Sequence, residues 1–402
     1  MQKEVTRMIR IRQKFDDTCI DDVGAAVRRQ FKRPEIRSCV HAGDRVAVGC
    51  GSRGIHAMAE IAKATVDCLL ELGAKPFIVP AMGSHGGATA LGQCEILASY
   101  GITEETMGVP IDASMETVPL GETESGIPIF FSKPAFEADW VLPINRVKLH
   151  TDFSGPIESG LIKMMTIGFG KEKGCNSLHL QGTTNFARVI PEAGCCVLAQ
   201  VDMRFGVAIV ENAYDHTAAI EAVRGSELFS REPELLQISK RLFPRIPFKT
   251  LDVLVVERFG KDISGAGMDP NITGRSSVGP VENFNGPAIQ RIVVCDLTEA
   301  SHGNGVAVNV ADFITRRFFN KLDLKATYAN GLACCNPSAC QIPVIMETEE
   351  EAVEMAVKTC RFIDHAHPRI VRLRSTLNMD EFEISEALLE EARAQSNIEI
   401  LG

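Results

Sequence analysis

Two histidines, four lysines and five glycines fall between Asn145 and His179, in the run NRVKLHTDFSGPIESGLIKMMTIGFGKEKGCNSLH. Histidine moves protons near neutral pH and binds metals, while a lysine in apolar surroundings has a depressed pKa and becomes a nucleophile. His150, Lys163 and His179 are the residues of this run with those capacities. Lys163 stands among Leu161, Ile162, Met164 and Met165, which suits covalent attachment of a cofactor or substrate. The same pattern also suits a lysine that snorkels from a helix end.

Two further residues extend the set. His85 lies between Gly83 and the pair Gly86 and Gly87, and glycines on both sides let a ligand approach the backbone closely. Read alone, it serves equally as an exposed loop residue. Arg53, in the turn G-S-R-G, carries the planar fork that binds a carboxylate bidentately, and a surface ion pair is the plainer use of it.

The elements that must hold these groups follow a regular order. RVAVGC (45–50) and KPFIVPA (75–81) read as short buried strands, each followed by a glycine-rich turn and an apolar-periodic helix. Trp140 to Ile144 is a third apolar run, and it empties into the polar segment that holds His150. Strand, loop and helix in repetition predict an α/β fold with mainly parallel sheets, whose functional loops lie at the C-terminal strand ends. Between the second and third strands, ETVPLGETESGIPIFF predicts a hairpin. SGPIESGLIK predicts a short helix or turn, broken afterwards by Gly168, Gly170 and Gly174.

At 402 residues the chain should hold two domains, because single cores stop growing at about 250–300 residues. The two prolines of FPRIPF (243–248) mark the boundary, giving an N-terminal α/β domain over 1–245 and a C-terminal one over 246–402, with the active-site cleft between them. In the first, an edge strand and a helix from Asp21 to Phe31 open the chain. A strand FGVAIVENA leads straight into an amphipathic helix through Arg241. In the second, TLDVLVVERFG ends in the loop GKDISGAGMDPNITGR (260–275), rich in glycine and hydrogen-bonding groups, with Lys261 and Arg275 at its ends. A helix from Val310, another from Thr348 to Phe362, a strand from Arg369 to Leu373 and a last helix from Ile384 to Ala394 complete it.

Gly49, Gly51 and Gly54 satisfy the dinucleotide pattern G-x-G-x-x-G after a strand and before a helix. The second strand ends in Pro80, Ala81 and Met82, where a nicotinamide enzyme needs a carboxylate for the ribose hydroxyls. An NAD-dependent 2-hydroxy acid dehydrogenase is therefore the alternative rather than the main reading. A net charge of −10 argues against nucleic acid or an anionic membrane as the partner. The charged start of the chain and the lack of an apolar run of about 20 residues point to a cytoplasmic protein. The thirteen cysteines are scattered; Cys334, Cys335 and Cys340 lack the paired spacing of a zinc site and read as reduced thiols.

HTDFSGPIESGLIKMMTIGFGKEKGCNSLH resembles the cofactor-binding segment of the nickel-dependent lactate racemases, and the likeness extends over most of the chain. In that family a lysine after a Ser-Gly pair is joined to a nickel-pincer nucleotide, and a histidine farther on ligates the nickel. The resemblance implies these roles for Lys163, preceded by Ser159 and Gly160, and for His179, sixteen residues later. It implies acid/base roles for His85 in GSHGG and for His150, and a carboxylate contact for Arg53. Lys261 is expected to touch substrate. Two departures stand out: Cys50, Gly51 and Ser52 replace the acidic residue before the arginine, and His150 lies farther from Lys163. The implied activity is racemisation or epimerisation of a 2-hydroxy acid, by hydride transfer to the pincer and back to the opposite face. The wealth of polar groups in 260–275, Arg275 included, suggests a sugar acid or another substrate longer than lactate. Cofactor-synthesis enzymes of the host are then required partners, and a homo-oligomer is compatible with this reading. A relative that binds a metabolite without turnover is the other alternative, against which the intact His/His/Lys/His set argues.

Overall fold

Strand β1 (Met8–Gln13) opens the described part of a computed structural model, which covers residues 7–52, 54–279, 284, 286–333 and 335–401. Two units make up the chain: Asp16–Phe243 is one, and Pro244 onward joins the residues before Asp16 to form the other.

In the unit Asp16–Phe243 the strands are β2 (Arg45–Cys50), β3 (Lys75–Pro80), the hairpin β4 (Thr117–Glu122) and β5 (Pro128–Ser132), β6 (Trp140–Arg146), β7 (Phe205–Glu211) and β8 (Thr217–Arg224). The main sheet runs β3-β2-β6-β7-β8, parallel except for the last pair. Its central strands are apolar along their length because helices cover both faces, as parallel sheets require. The helix Met58–Glu71, for example, buries Ile61, Ala62, Val66 and Leu69. From β2 the chain steps to β3 on one side, whereas β6 flanks β2 on the other. Ligands of open α/β sheets bind where the strand order reverses in this way, beyond the C-terminal strand ends.

Strand β8 was not expected. Its sequence TAAIEAVR carries three alanines and two charged residues, and seven pairings with β7 supply what local propensity does not. Gly168 and Gly170 fall at the break expected after Lys163, whereas Gly174 lies inside the helix that follows. Helical turns cover Leu161–Lys163, a π-helical stretch covers Met164–Gly168, and Lys171–His179 is again α-helical. Gly168 is needed there for contact, since a Cβ on it would sit 2.6 Å from the Ala81 carbonyl oxygen. Single π turns within helices concentrate at functional sites.

The other unit holds β9 (Thr250–Phe259), β10 (Ala288–Leu297), β11 (Phe313–Thr315), β12 (Val344–Met346), β13 (Ile370–Leu373), β14 (Glu381–Ser385) and β15 (Ile398–Ile400). They form one sheet in the order β12-β11-β10-β9-β13-β14-β1-β15. It is parallel from β12 to β13 and antiparallel through β14, β1 and β15. The N-terminal strand, assigned by sequence to the first domain, thus belongs to this unit, with Ile11 fully buried and paired with Phe382. Where the sequence suggested a helix from Val310, the structure has β11 followed by the five-residue helix Arg316–Asn320. The helix expected from Ile384 to Ala394 is present, beginning with a 3-10 turn at Glu386 and continuing as Leu389–Arg393, and it is preceded by β14, which was not expected. EFEIS alternates apolar and polar, the period of a strand.

Among the described residues no helix is long and apolar enough to cross a membrane. The described cysteines are free thiols, and Cys50, Cys68, Cys175, Cys295 and Cys360 are buried.

Candidate active site

Three loops of the unit Asp16–Phe243 meet at the C-terminal edge of its sheet. The turn after β2 supplies Gly51 and Ser52, the turn after β3 supplies His85, and the segment after β6 supplies His150 and the two consecutive helices of Lys163 and His179. Arg53 lies outside the described residues. The glycines of the dinucleotide-like pattern are used for packing here: a Cβ on Gly49 would lie 2.3 Å from the Phe169 ring, and one on Gly51 would lie 3.2 Å from Met164 Cε. Phe169 in turn stacks on Phe131 at 5.1 Å, and the two buried rings fasten the helix of Lys163 beneath the turn.

His85 is exposed, but its ring and its backbone are both tied. Its Nδ1 hydrogen-bonds Ser52 Oγ, and the Tyr100 hydroxyl donates to the Ser52 carbonyl at 2.7 Å. Gln93, fully buried, donates from Nε2 to the carbonyls of Gly83 at 2.9 Å and His85 at 3.2 Å. The loop also joins the helix of Lys163, for Gly83 N donates to Gly168 O at 3.0 Å. A hydroxyl partner can either donate to or accept from Nδ1, so Ser52 suits both neutral tautomers of His85.

His150 sits on a loop built around one carboxylate. Glu158, 1% exposed, accepts from His150 N at 2.7 Å through one oxygen. Its other oxygen accepts from Gly155 N at 3.2 Å and pairs with Lys240 at 2.7 Å. The ring's Nδ1 accepts from Asp152 N at 3.0 Å, so neutral His150 carries its proton on Nε2. The ring also packs on Phe153 at 4.5 Å; Phe153 meets Phe186 at 5.7 Å, and Phe186 meets His179 at 5.1 Å.

Ser159 pairs with Lys148 through backbone bonds of 2.9 and 3.1 Å, and Gly160 O accepts from Asn145 Nδ2 at 2.7 Å. This places Lys163, half-buried, on the first turn of the helix. Ahead of that turn is Glu232, whose carboxyl accepts from Ile162 N at 3.1 Å. Burial pushes it up to about 7, against the pull of the Ile162 and Leu161 amides.

His179 ends the next helix, Lys171–His179. Its Nδ1 lies 2.7 Å from the Cys175 carbonyl oxygen, which can only accept, so Nδ1 carries the proton and Nε2 keeps its lone pair. Cys175 Sγ lies 3.4 Å from the same nitrogen and 3.5 Å from Ser84 Oγ. Burial alone raises the thiol and lowers the imidazole; their contact reverses both, drawing Cys175 down and His179 up. The Lys163 ammonium opposes the rise at His179, so the two sit within electrostatic reach of each other. Lys171 is the fully buried cation of this region. Burial lowers it to about 8, against the raising influence of Asp112 and Cys94.

The structure therefore gathers His85, His150, Lys163 and His179 on one sheet edge, with Ser159 and Gly160 at the head of the helix. Lys261 lies in the other unit, where its ammonium donates to Gly265 O at 2.5 Å. Arg275, which suggested an extended substrate, is engaged by Asp312 at 2.7 Å and by the carbonyls of Val310, Ile289 and Gln290. Sequence reasoning missed Glu158, Gln93, Lys171 and Glu232, because each acts on a partner that no local pattern announces.

A two-unit α/β protein with its polar loops at the strand-order reversal is the class so defined. No protein-family model matches the chain, and no curated protein matches it by sequence. Among solved structures it is similar to the lactate racemase apoprotein of Thermoanaerobacterium thermosaccharolyticum, at 13% identity and TM-score 0.56, over 93% of this chain and 99% of that one. A Thermotoga maritima protein is similar at 13% identity and TM-score 0.56, over 91% and 99%. The chain has the fold of that racemase apoprotein.

Proposed function

We propose that the protein is a racemase or epimerase of a 2-hydroxy acid that works with a nickel-pincer nucleotide. The observation that carries this reading is the pair of consecutive helices that bring Lys163 and His179 within electrostatic reach of each other, with His179 held in the tautomer that leaves Nε2 available to a metal. Among the described residues no group of three or more His, Cys, Asp or Glu side chains could hold a metal. A nickel ion on His179 then needs three ligands from elsewhere, the number a tridentate pincer brings to a square-planar site. Lys163, on the first of the two helices, is the residue to which the nucleotide is joined. When bound, that group supplies hydride acceptance from the substrate Cα and hydride return.

The remaining work falls to the chain. Arg53 binds the substrate carboxylate. His85 takes the hydroxyl proton at Nε2 while Nδ1–H donates to Ser52, and the imidazolium so formed gives that proton back from Nε2 with Nδ1–H still on Ser52. His150 presents Nε2–H and stabilises the oxygen from its own side by donating a hydrogen bond to it. Held by Asp152 N at 3.0 Å, it must release that contact before it serves as a base. The substrate is a hydroxy acid, with a sugar acid or another chain longer than lactate as its class. The test is intact mass and metal analysis of protein made in a host that carries the cofactor-synthesis enzymes. Expected are a nucleotide-sized addition on Lys163 and about one nickel per chain, with the same addition absent from Lys163→Ala. An adduct that persists in the variant refutes the assignment.

A further inference from the structure

A lysine with no exposed surface is unusual unless its ammonium is fully engaged, because an unpaired buried charge is costly. Lys171 is such a residue, 0% exposed, and nothing in the proposed chemistry uses it. Its backbone is also unusual: φ is +53°, a left-handed conformation that favours glycine over a long side chain. Glycine is abundant on either side, at Gly170 and Gly174, yet lysine stands at the strained position.

The ammonium reaches out of the helix to two acceptors, Pro80 O at 2.8 Å and Gln93 Oε1 at 3.2 Å. Pro80 is the last residue of β3, and Gln93 is the residue whose Nε2 holds the carbonyls of Gly83 and His85. Lysine only donates and carbonyls only accept, so one orientation of the Gln93 amide satisfies all of them, with oxygen toward Lys171 and nitrogen toward the loop. The bonds form a continuous path from the helix of His179, through Lys171 and Gln93, to the backbone of His85.

We propose that Lys171 is a positioning residue: through Gln93 it fixes the glycine-rich loop at the end of β3, and so the place of the His85 imidazole relative to the helix that carries His179. The role in turnover rests on the racemase reading, whereas the structural tie does not. Glycines at 83, 86 and 87, each at positive φ, leave the loop little stiffness of its own, so its shape depends on these bonds.

Two variants cut the path at different points. Lys171→Met keeps length and removes the donor; Gln93→Met keeps Lys171 on Pro80 O and releases the loop. In the apoprotein, ring ¹H–¹⁵N spectra, with His85 assigned from its loss in His85→Ala, should show the His85 signals displaced in both variants. In nickel-loaded enzyme both should lose on the order of 10²-fold in kcat, the effect of a misplacement of about 1 Å. KM should stay within about twofold, and the Lys163 adduct and nickel content should be unchanged. Wild-type His85 signals in either folded variant overturn the proposal, and so does wild-type kcat in a loaded one. If Lys171→Met does not fold, Gln93→Met decides alone. If the wild-type chain takes up no adduct, the racemase reading fails, while the spectra of the apoprotein still decide the tie.

Discussion

His179 Nδ1 and the backbone carbonyl of Cys175 lie 2.7 Å apart, one helical turn from each other. The helix thereby orients its own terminal imidazole, and the acceptor is main chain rather than the nearby sulfur.

A clear expectation follows for metal binding. His179→Ala should lose nickel while keeping the adduct on Lys163, as shown by metal analysis and intact mass of one preparation. Cys175→Ala should retain its nickel, since the carbonyl remains. Loss of nickel in Cys175→Ala would instead make the sulfur a ligand.

The strands β2, β3, β6 and β7 and the loops after the first three were legible because parallel strands are apolar along their length and glycine-rich turns follow them. The histidines and Lys163 were visible as chemistry-bearing types in those loops. What the sequence hid was long-range. Nothing near Ile11 announces Phe382, its partner in a strand at the far end of the chain, and β1 was assigned to the wrong unit. Glu158 and Lys240, or Lys171 and Gln93, are polar residues in polar surroundings until the fold pairs them. Arg275 misled for the same reason: its charge was visible and its four backbone and side-chain acceptors were not.

The paired histidines lead to a kinetic expectation. His85→Ala and His150→Ala should each lower kcat by roughly 10²–10⁴-fold, the usual contribution of a positioned acid or base. Substrate deuterated at Cα should be returned inverted with its label, because a hydride kept from solvent does not exchange. Loss of the label to water during turnover would point to proton abstraction at Cα instead. The bond from Asp152 N adds a spectroscopic expectation, that the neutral His150 ring in the apoprotein is the Nε2–H tautomer by its ¹⁵N shifts.

Arg275 should matter to stability rather than to substrate. It is bonded to Asp312 and three carbonyls, and its removal strands those acceptors at about 1–3 kcal/mol. Denaturant unfolding of Arg275→Ala should show a loss of that size, with the KM of the loaded enzyme unchanged. A raised KM at wild-type stability would restore the residue to the substrate.

Glu232 gives the fold a pH dependence of a particular sign. Its carboxyl is buried, Oε1 has no hydrogen-bond partner, and burial raises its pKa from 4.5 to about 7. The folded state therefore holds this proton more tightly than the unfolded chain does. Between about pH 4.5 and 7 the folded chain keeps the proton while the unfolded chain gives it up, so stability falls as pH rises through that window. The gap between 4.5 and about 7 corresponds to on the order of 3 kcal/mol. Above pH 7 both states are ionised and the penalty stays constant. Glu232→Gln keeps an acceptor for Ile162 N and removes the charge, so the variant should lack this component of the slope and should be more stable than wild type at pH 8. Urea unfolding of both proteins across pH 4.5–8 measures it as the difference between the two curves. If the curves run parallel through the window, Glu232 titrates alike in the folded and unfolded chains, and the head of the Lys163 helix does not hold a protonated carboxyl.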